Sequence, residues 1–186
     1  MESSNNRLNK KTLAIVQIAI MSAIIYLATA IINIPVGIGY KGVAHLGDTM
    51  IFVSAIFLGR KKGVLASAIG MSMFDLFSPY IMWVPFTFLI KGSMAYIASA
   101  IACRKDYNGN SILNNLFAFV IAGIWMNFAY FIAGGFLNHF YMRIPLYQGF
   151  LIQATHIPAD IIQVFLGIII ALPLIKILKK AKFKIC

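Results

Sequence analysis

Charge is scarce in this 186-residue chain and acid is scarcest: five Asp and Glu stand against 16 Lys and Arg, and charged residues make up 11 % of the whole. A soluble domain carries about a quarter charged residues, so this little charge with 61 % hydrophobic residues excludes an ordinary soluble fold and points to an integral membrane protein. Cysteine is nearly absent too: Cys103 and Cys186 are too few for a metal motif, and both fall on the side expected to be cytoplasmic, where a disulfide is not expected. No glycine-rich phosphate loop ending in Lys and Ser or Thr occurs, and Gly59 to Gly63 is only a basic turn, so the chain lacks the familiar means of using ATP. His45, His139 and His156 form no ligand set with the few carboxylates, and no serine has a His and an acid in recognisable order. No metal, cofactor or catalytic activity is therefore expected.

What is abundant is apolar sequence in long runs. Residues 12–34, 63–82, 83–103, 112–134 and 149–175 are each of membrane-spanning length, and 46–59 is a shorter run. A helix rising 1.5 Å per residue needs about 20 apolar residues to cross a hydrocarbon core of roughly 30 Å. The expected fold is an all-α integral membrane protein, a six-transmembrane-helix bundle forming a single domain over 1–186. The first run is too long for the apolar core of a signal peptide and lacks a small-residue cleavage site before Pro35, so it is read as a span.

Lys and Arg retained in cytoplasmic loops set the orientation. Arg7, Lys10 and Lys11 precede the first run, Arg60, Lys61 and Lys62 join the second and third, Arg104 and Lys105 join the fourth and fifth, and five lysines from Lys176 to Lys184 follow the sixth. The opposite loops hold only Lys41 and Arg143, so both termini are placed in the cytoplasm. The net charge of +11 is thus topology. A nucleic-acid surface would gather these charges on one aromatic-studded face, and they lie instead in separate juxtamembrane clusters.

Ionisable groups inside spans need a partner or a water-accessible cavity. Asp75 and Lys91 lie eight positions either side of Trp83, the expected outer turn, so they are expected to face each other, as an ion pair, as ligand contacts, or as both. Gln153, His156, Asp160 and Gln163 follow at intervals of three, four and three, which places them on one face of a single sixth helix kinked at Pro158, with Asp160 near mid-depth. Asn127 and Tyr130 are neighbours on the fifth helix. The candidate substrate contacts are Asp75, Lys91, Asn127, Gln153, His156 and Asp160. Tyr80, Trp83 and Tyr141 read as interfacial belt. In the first outer loop, glycines flank Tyr40 and Lys41 and the segment ends at His45, which reads as a mobile cover, while Asp48 reads as the N-cap of the second helix.

Ala19 and Ala23 lie one turn apart in the stretch Ala19, Ile20, Met21, Ser22, Ala23, a flat strip where another helix can approach. Together with the six runs, the inside termini, the His45 to Asp48 segment and the stretch Trp83, Pro85, Phe86, Thr87, Leu89, Ile90, Lys91, Gly92, the chain resembles the substrate-binding S components of ECF-type vitamin importers, in the branch labelled after its riboflavin transporters. The resemblance covers essentially the whole chain. It implies a multi-pass subunit of a prokaryotic plasma membrane that captures a vitamin from outside, with the loop from Pro35 to Asp48 as a lid. It also implies a transmembrane coupling subunit, met by Ala19 and Ala23, and two cytoplasmic ATPase subunits. The polar groups suit a B6 vitamer or a pyrimidine precursor and leave riboflavin open. Two other classes are carried beside this one: a self-contained ion-coupled transporter with Asp160 and His156 as proton relay, which lacks the inverted repeats that would support it, and an intramembrane enzyme, which lacks a nucleophile or metal constellation.

Overall fold

The computed structural model describes residues 2–35 and 43–181. The described chain runs α1 (Glu2–Ile31), β1 (Asn33–Pro35), β2 (Val43–His45), α2 (Gly47–Phe57), α3 (Gly59–Leu76), α4 (Val84–Ala102), α5 (Ile112–Met142), α6 (Leu146–Ala154) and α7 (Ile157–Lys180), with single 3-10 turns at Ile81–Trp83 and Lys105–Tyr107. The strands pair antiparallel, Asn33 opposite His45, and this small hairpin sits between α1 and α2. Among the described residues, four helices are long and apolar enough to cross a membrane: α1 over Asn9–Ile31, α4 with its preceding turn, α5 and α7. The second apolar helix, α2, is shorter, and α3 carries Arg60, Lys61, Lys62 and Asp75 within its 18 residues.

Local chemistry sets the ends. Pro85 and Pro158 sit in the first turns of α4 and α7, where a missing N–H costs nothing, and the Ser111 side chain accepts from the Asn114 backbone N–H at the start of α5. Arg143 ends α5 in a left-handed conformation, φ 52°, two residues before Pro145. The run read as one sixth helix is therefore two. Pro158 opens α7 rather than kinking a continuous helix, and α5 runs on to Met142 where the sequence suggested a stop at 134. Asp48 does not cap α2: Leu46 holds the cap position, and Asp48, one residue inside the helix, points into the bundle.

The helices pack inside out relative to a soluble protein. Small residues line the contacts, as on α3 and α4 with Ala66, Ala68, Ala95, Ala98 and Ala102 buried, while large apolar side chains face outward, Leu113 at 77 % and Ile15 at 66 % exposure among them. Helix α1 presents Ser22, Ile25 and Thr29 to α3; Ser22 Oγ donates to the Ala66 carbonyl at 3.2 Å and Thr29 Oγ1 to the Ile25 carbonyl at 2.8 Å. Ser54 and Ser67 hydroxyls meet at 2.9 Å between α2 and α3. At the end of the bundle away from the hairpin, Lys62 Nζ donates to Gln17 Oε1 at 2.8 Å, and Lys179 Nζ donates to the Gly109 carbonyl in the α4–α5 loop. Cys103 beside that loop is disulfide-bonded, against the expectation of a thiol, and Cys186 lies outside the described residues.

Gly70 marks the closest approach of α1 and α3. A Cβ there would stand 2.6 Å from the Ser22 carbonyl oxygen and 2.9 Å from Ile25 Cβ, so Gly70→Val is expected to lose about 1–3 kcal/mol by overpacking. Gly92→Ala, whose new Cβ would meet Ala68 Cβ at 3.4 Å, is expected to melt close to the parent. Thermal unfolding of both variants in detergent distinguishes them.

Candidate functional site

Beneath the hairpin, α3, α4, α5, α6 and α7 converge on a polar cavity whose lining includes His45, Asp75, Lys91, Tyr130, Gln153, Asp160 and Gln163, with Met71, Phe74 and Trp83 as its apolar wall. A chain this poor in acid places Asp48, Asp75 and Asp160 in or under this one site. Its volume is about 30 Å3, room for water but an order of magnitude below the ~300 Å3 at which small-molecule pockets begin. The lining is assembled while the helices around it stand close together.

The floor is an ion pair. Lys91 Nζ donates to Asp48 Oδ1 at 2.5 Å, with both side chains at 1 % exposure or less. The second Asp48 oxygen accepts from Gln163 Nε2 at 2.6 Å. Lys91 also points at Met126 Sδ, 2.9 Å away, and its ammonium stands 5.4 Å from the centre of the Tyr130 ring. This cluster ties α2, α4, α5 and α7 together at one depth. The carboxylate that Lys91 meets is thus Asp48, not Asp75. Counting outward from Trp83 as a tight turn misplaces the register, because α3 ends at Leu76 and α4 begins at Val84, with a seven-residue connection between them.

Asp75 instead engages α4 one turn nearer the hairpin. Tyr130 OH donates to Thr87 Oγ1 at 3.2 Å, and the Thr87 hydroxyl donates to Asp75 Oδ2. The hydroxyl between them is directed by its two neighbours, since a single proton serves the carboxylate while a lone pair takes the phenol. The Tyr130 ring lies 5.7 Å from the Trp83 ring, so the aromatic wall and the hydrogen-bonded chain share a residue. His45 is turned by its own backbone: the Gly47 N–H donates to Nδ1 at 3.2 Å, which places the proton of a neutral ring on Nε2.

On the opposite wall, Gln153 is buried on α6, and its Oε1 has no hydrogen-bond partner among the described residues. Gly134 on α5 makes room for it, since a Cβ there would lie 2.1 Å from that oxygen. Asp160 occupies the first turn of α7, close to the hairpin end rather than at mid-depth, where the helix dipole favours a carboxylate.

Of the six residues singled out as substrate contacts, Asp75, Lys91, Gln153 and Asp160 line the cavity. His156 is buried at the α6–α7 junction outside that lining. Asn127 donates to the Gly123 carbonyl at 3.0 Å and faces an apolar groove between α5 and α7 instead. Of the lid residues, His45 lines the cavity, and Tyr40 and Lys41 lie outside the described residues. Sequence reasoning missed Asp48 as the counter-ion and Trp83 as wall. Trp83 is 3 % exposed rather than interfacial, and its place beside the Pro85 helix start was the available signal. Ala19 and Ala23 are exposed and line a groove between α1 and α3 with Ile15, Ile69 and Met73.

Removing one partner of a buried pair leaves the other charge uncompensated, at a cost of about 3–5 kcal/mol. Asp48→Ala is therefore expected to lower the unfolding temperature sharply, and the double variant Asp48→Leu, Lys91→Met to recover most of the loss, as read by thermal unfolding in detergent.

A family model described as ECF-type riboflavin transporter, S component, matches residues 9–180. Among solved structures, the S component of a bacterial ECF transporter superposes with a TM-score of 0.66 over 91 % of this chain and 97 % of that one, at 21 % identity, a likeness of fold. No curated protein matches the sequence. The bundle, with its polar cavity under a hairpin at one end and its basic clusters at the other, is thus a membrane transporter component, and the chain belongs to the ECF-type riboflavin transporter S component family.

Proposed function

We propose that this protein is the substrate-capture subunit of an ECF-type importer in a prokaryotic plasma membrane. It takes a water-soluble vitamin or precursor from outside into the cavity beneath the β1–β2 hairpin and delivers it through a transmembrane coupling subunit driven by two ATPases. The observation that carries the reading is the cavity itself, where hydrogen-bonding side chains from α3, α6 and α7 meet an aromatic wall. Such a combination suits a flat heterocycle with several polar edges. In this reading the chain crosses the membrane six times with both termini inside. The position of Lys62 at the start of α3 and of Lys179 at the end of α7, both at the helix ends opposite the cavity, supports that orientation.

Substrate contacts are assigned to Asp75, Gln153 and Asp160, with His45 above them and Trp83 as the stacking face. The polar side chains around the cavity suit a compact ligand, such as a B6 vitamer or a pyrimidine precursor, and leave a flavin open. Admission requires α6 and the hairpin to draw away from α3 and α4. Helix α6 suits that movement because it is nine residues long and joined to α7 by the two-residue break Thr155–His156. Ala19 and Ala23 are assigned to the coupling subunit, since their exposure leaves packing with α3 to Ser22, Ile25 and Thr29.

Purified alone in detergent and then denatured, the protein is expected to release a stoichiometric vitamin, identified by mass spectrometry. No released ligand, together with no binding across a panel of water-soluble vitamins, would refute the reading. Replacing both Ala19 and Ala23 by Leu is expected to abolish uptake in cells carrying the whole importer while ligand binding in detergent stays unchanged. Loss of binding in that variant would make the strip internal packing.

A further inference from the structure

Thr87 is fully buried on α4 and is not among the residues that line the cavity, yet its hydroxyl joins two that are. It donates to Asp75 Oδ2 and accepts from the Tyr130 hydroxyl at 3.2 Å. A hydroxyl has one proton to give, so the proton of Tyr130 on Thr87 commits the proton of Thr87 to the carboxylate. The Tyr130 end of this chain is bracketed: the centre of its ring lies 5.7 Å from that of Trp83 and 5.4 Å from the Lys91 ammonium. The backbone of Asp75 is held as well, because the Ser78 N–H at 3.3 Å and the Ser78 hydroxyl at 3.1 Å both donate to its carbonyl at the end of α3. Beside this chain Ser72 Oγ donates to the Val84 carbonyl at 3.4 Å, so α3 and α4 have another tie besides the Thr87 hydroxyl.

Resting on the capture reading above, we infer that Thr87 is a positioning residue for substrate binding. It touches no ligand and acts through Asp75, holding the carboxylate at the cavity wall in the orientation in which the ligand meets it. A carboxylate at a helix end can turn about its side-chain bonds, and fixing it only when the ligand arrives costs affinity. A hydrogen bond donated to one of its oxygens removes that freedom beforehand, and a bond to a charged group is stronger than one between neutral groups. Tyr130 in turn keeps the Thr87 hydroxyl pointed at the acid, so three helices, α3, α4 and α5, contribute to the placing of one carboxylate.

The test uses the whole purified chain in detergent and isothermal titration with pyridoxine, hydroxymethylpyrimidine and riboflavin, then with the remaining water-soluble vitamins. For whichever binds, Thr87→Val keeps the shape of the side chain without its hydroxyl and is expected to bind at least about tenfold more weakly. Thr87→Ser keeps the hydroxyl without the methyl and is expected to bind within about threefold of the parent. A packing role predicts the reverse order, since valine fills the site and serine leaves a gap. Each titration is run well below the unfolding midpoint of its variant, so that a loss of stability alone does not move the affinity. A loss smaller than tenfold in Thr87→Val, or Thr87→Ser binding no tighter than Thr87→Val, would overturn the inference while leaving the capture reading standing. Binding of no vitamin by the parent removes both. Should Thr87→Val not fold, Thr87→Ala takes its place with the same expected loss, and failure of both to fold would make the hydroxyl structural and overturn the inference.

Discussion

A buried ion pair between Lys91 and Asp48 holds the centre of this bundle. Apolar helices in a membrane have little hydrophobic reason to prefer one neighbour over another, because lipid is as apolar as leucine. A buried ammonium and a buried carboxylate, by contrast, tolerate one arrangement only. Lys91 on α4 and Asp48 on α2, with Gln163 from α7 on the second carboxylate oxygen, set the relative depth and rotation of three helices at once. The surrounding alanine seams then allow the backbones to come close enough for the contact to be made.

Above that pair, the site is organised as a second polar chain running from Tyr130 through Thr87 to Asp75. The two chains do different work. The lower one is internally neutral and fastens the helices, whereas the upper one directs a carboxylate toward the cavity and joins it to the Trp83 and Tyr130 rings. Walls on α3, α4 and α5 face a wall on the short α6, which a two-residue break separates from α7.

Periodicity was informative wherever it concerned one helix and misleading wherever it assumed continuity between two. Gln153, Asp160 and Gln163 do converge on the cavity as their spacing suggests. They do so from two helices, because Pro158 begins a new one. The Asp75 and Lys91 pairing failed for a related reason: it presumed a tight turn at Trp83, and seven residues intervene instead. Asn127 donates its amide N–H to the Gly123 carbonyl on its own helix, a choice that leaves no trace in residue spacing.

The sequence alone determined the class of the protein, its apolar runs, the one-sided placement of its basic clusters and its family, because each depends on composition or on local order along the chain. Which acid neutralises which base was decided only by the tertiary structure. Asp48 and Lys91 are 43 positions apart, and Asp48 and Gln163 are 115 apart. At such separations partners are chosen by the depth and rotation of whole helices, quantities set by packing at small residues and by connection lengths that no local pattern encodes.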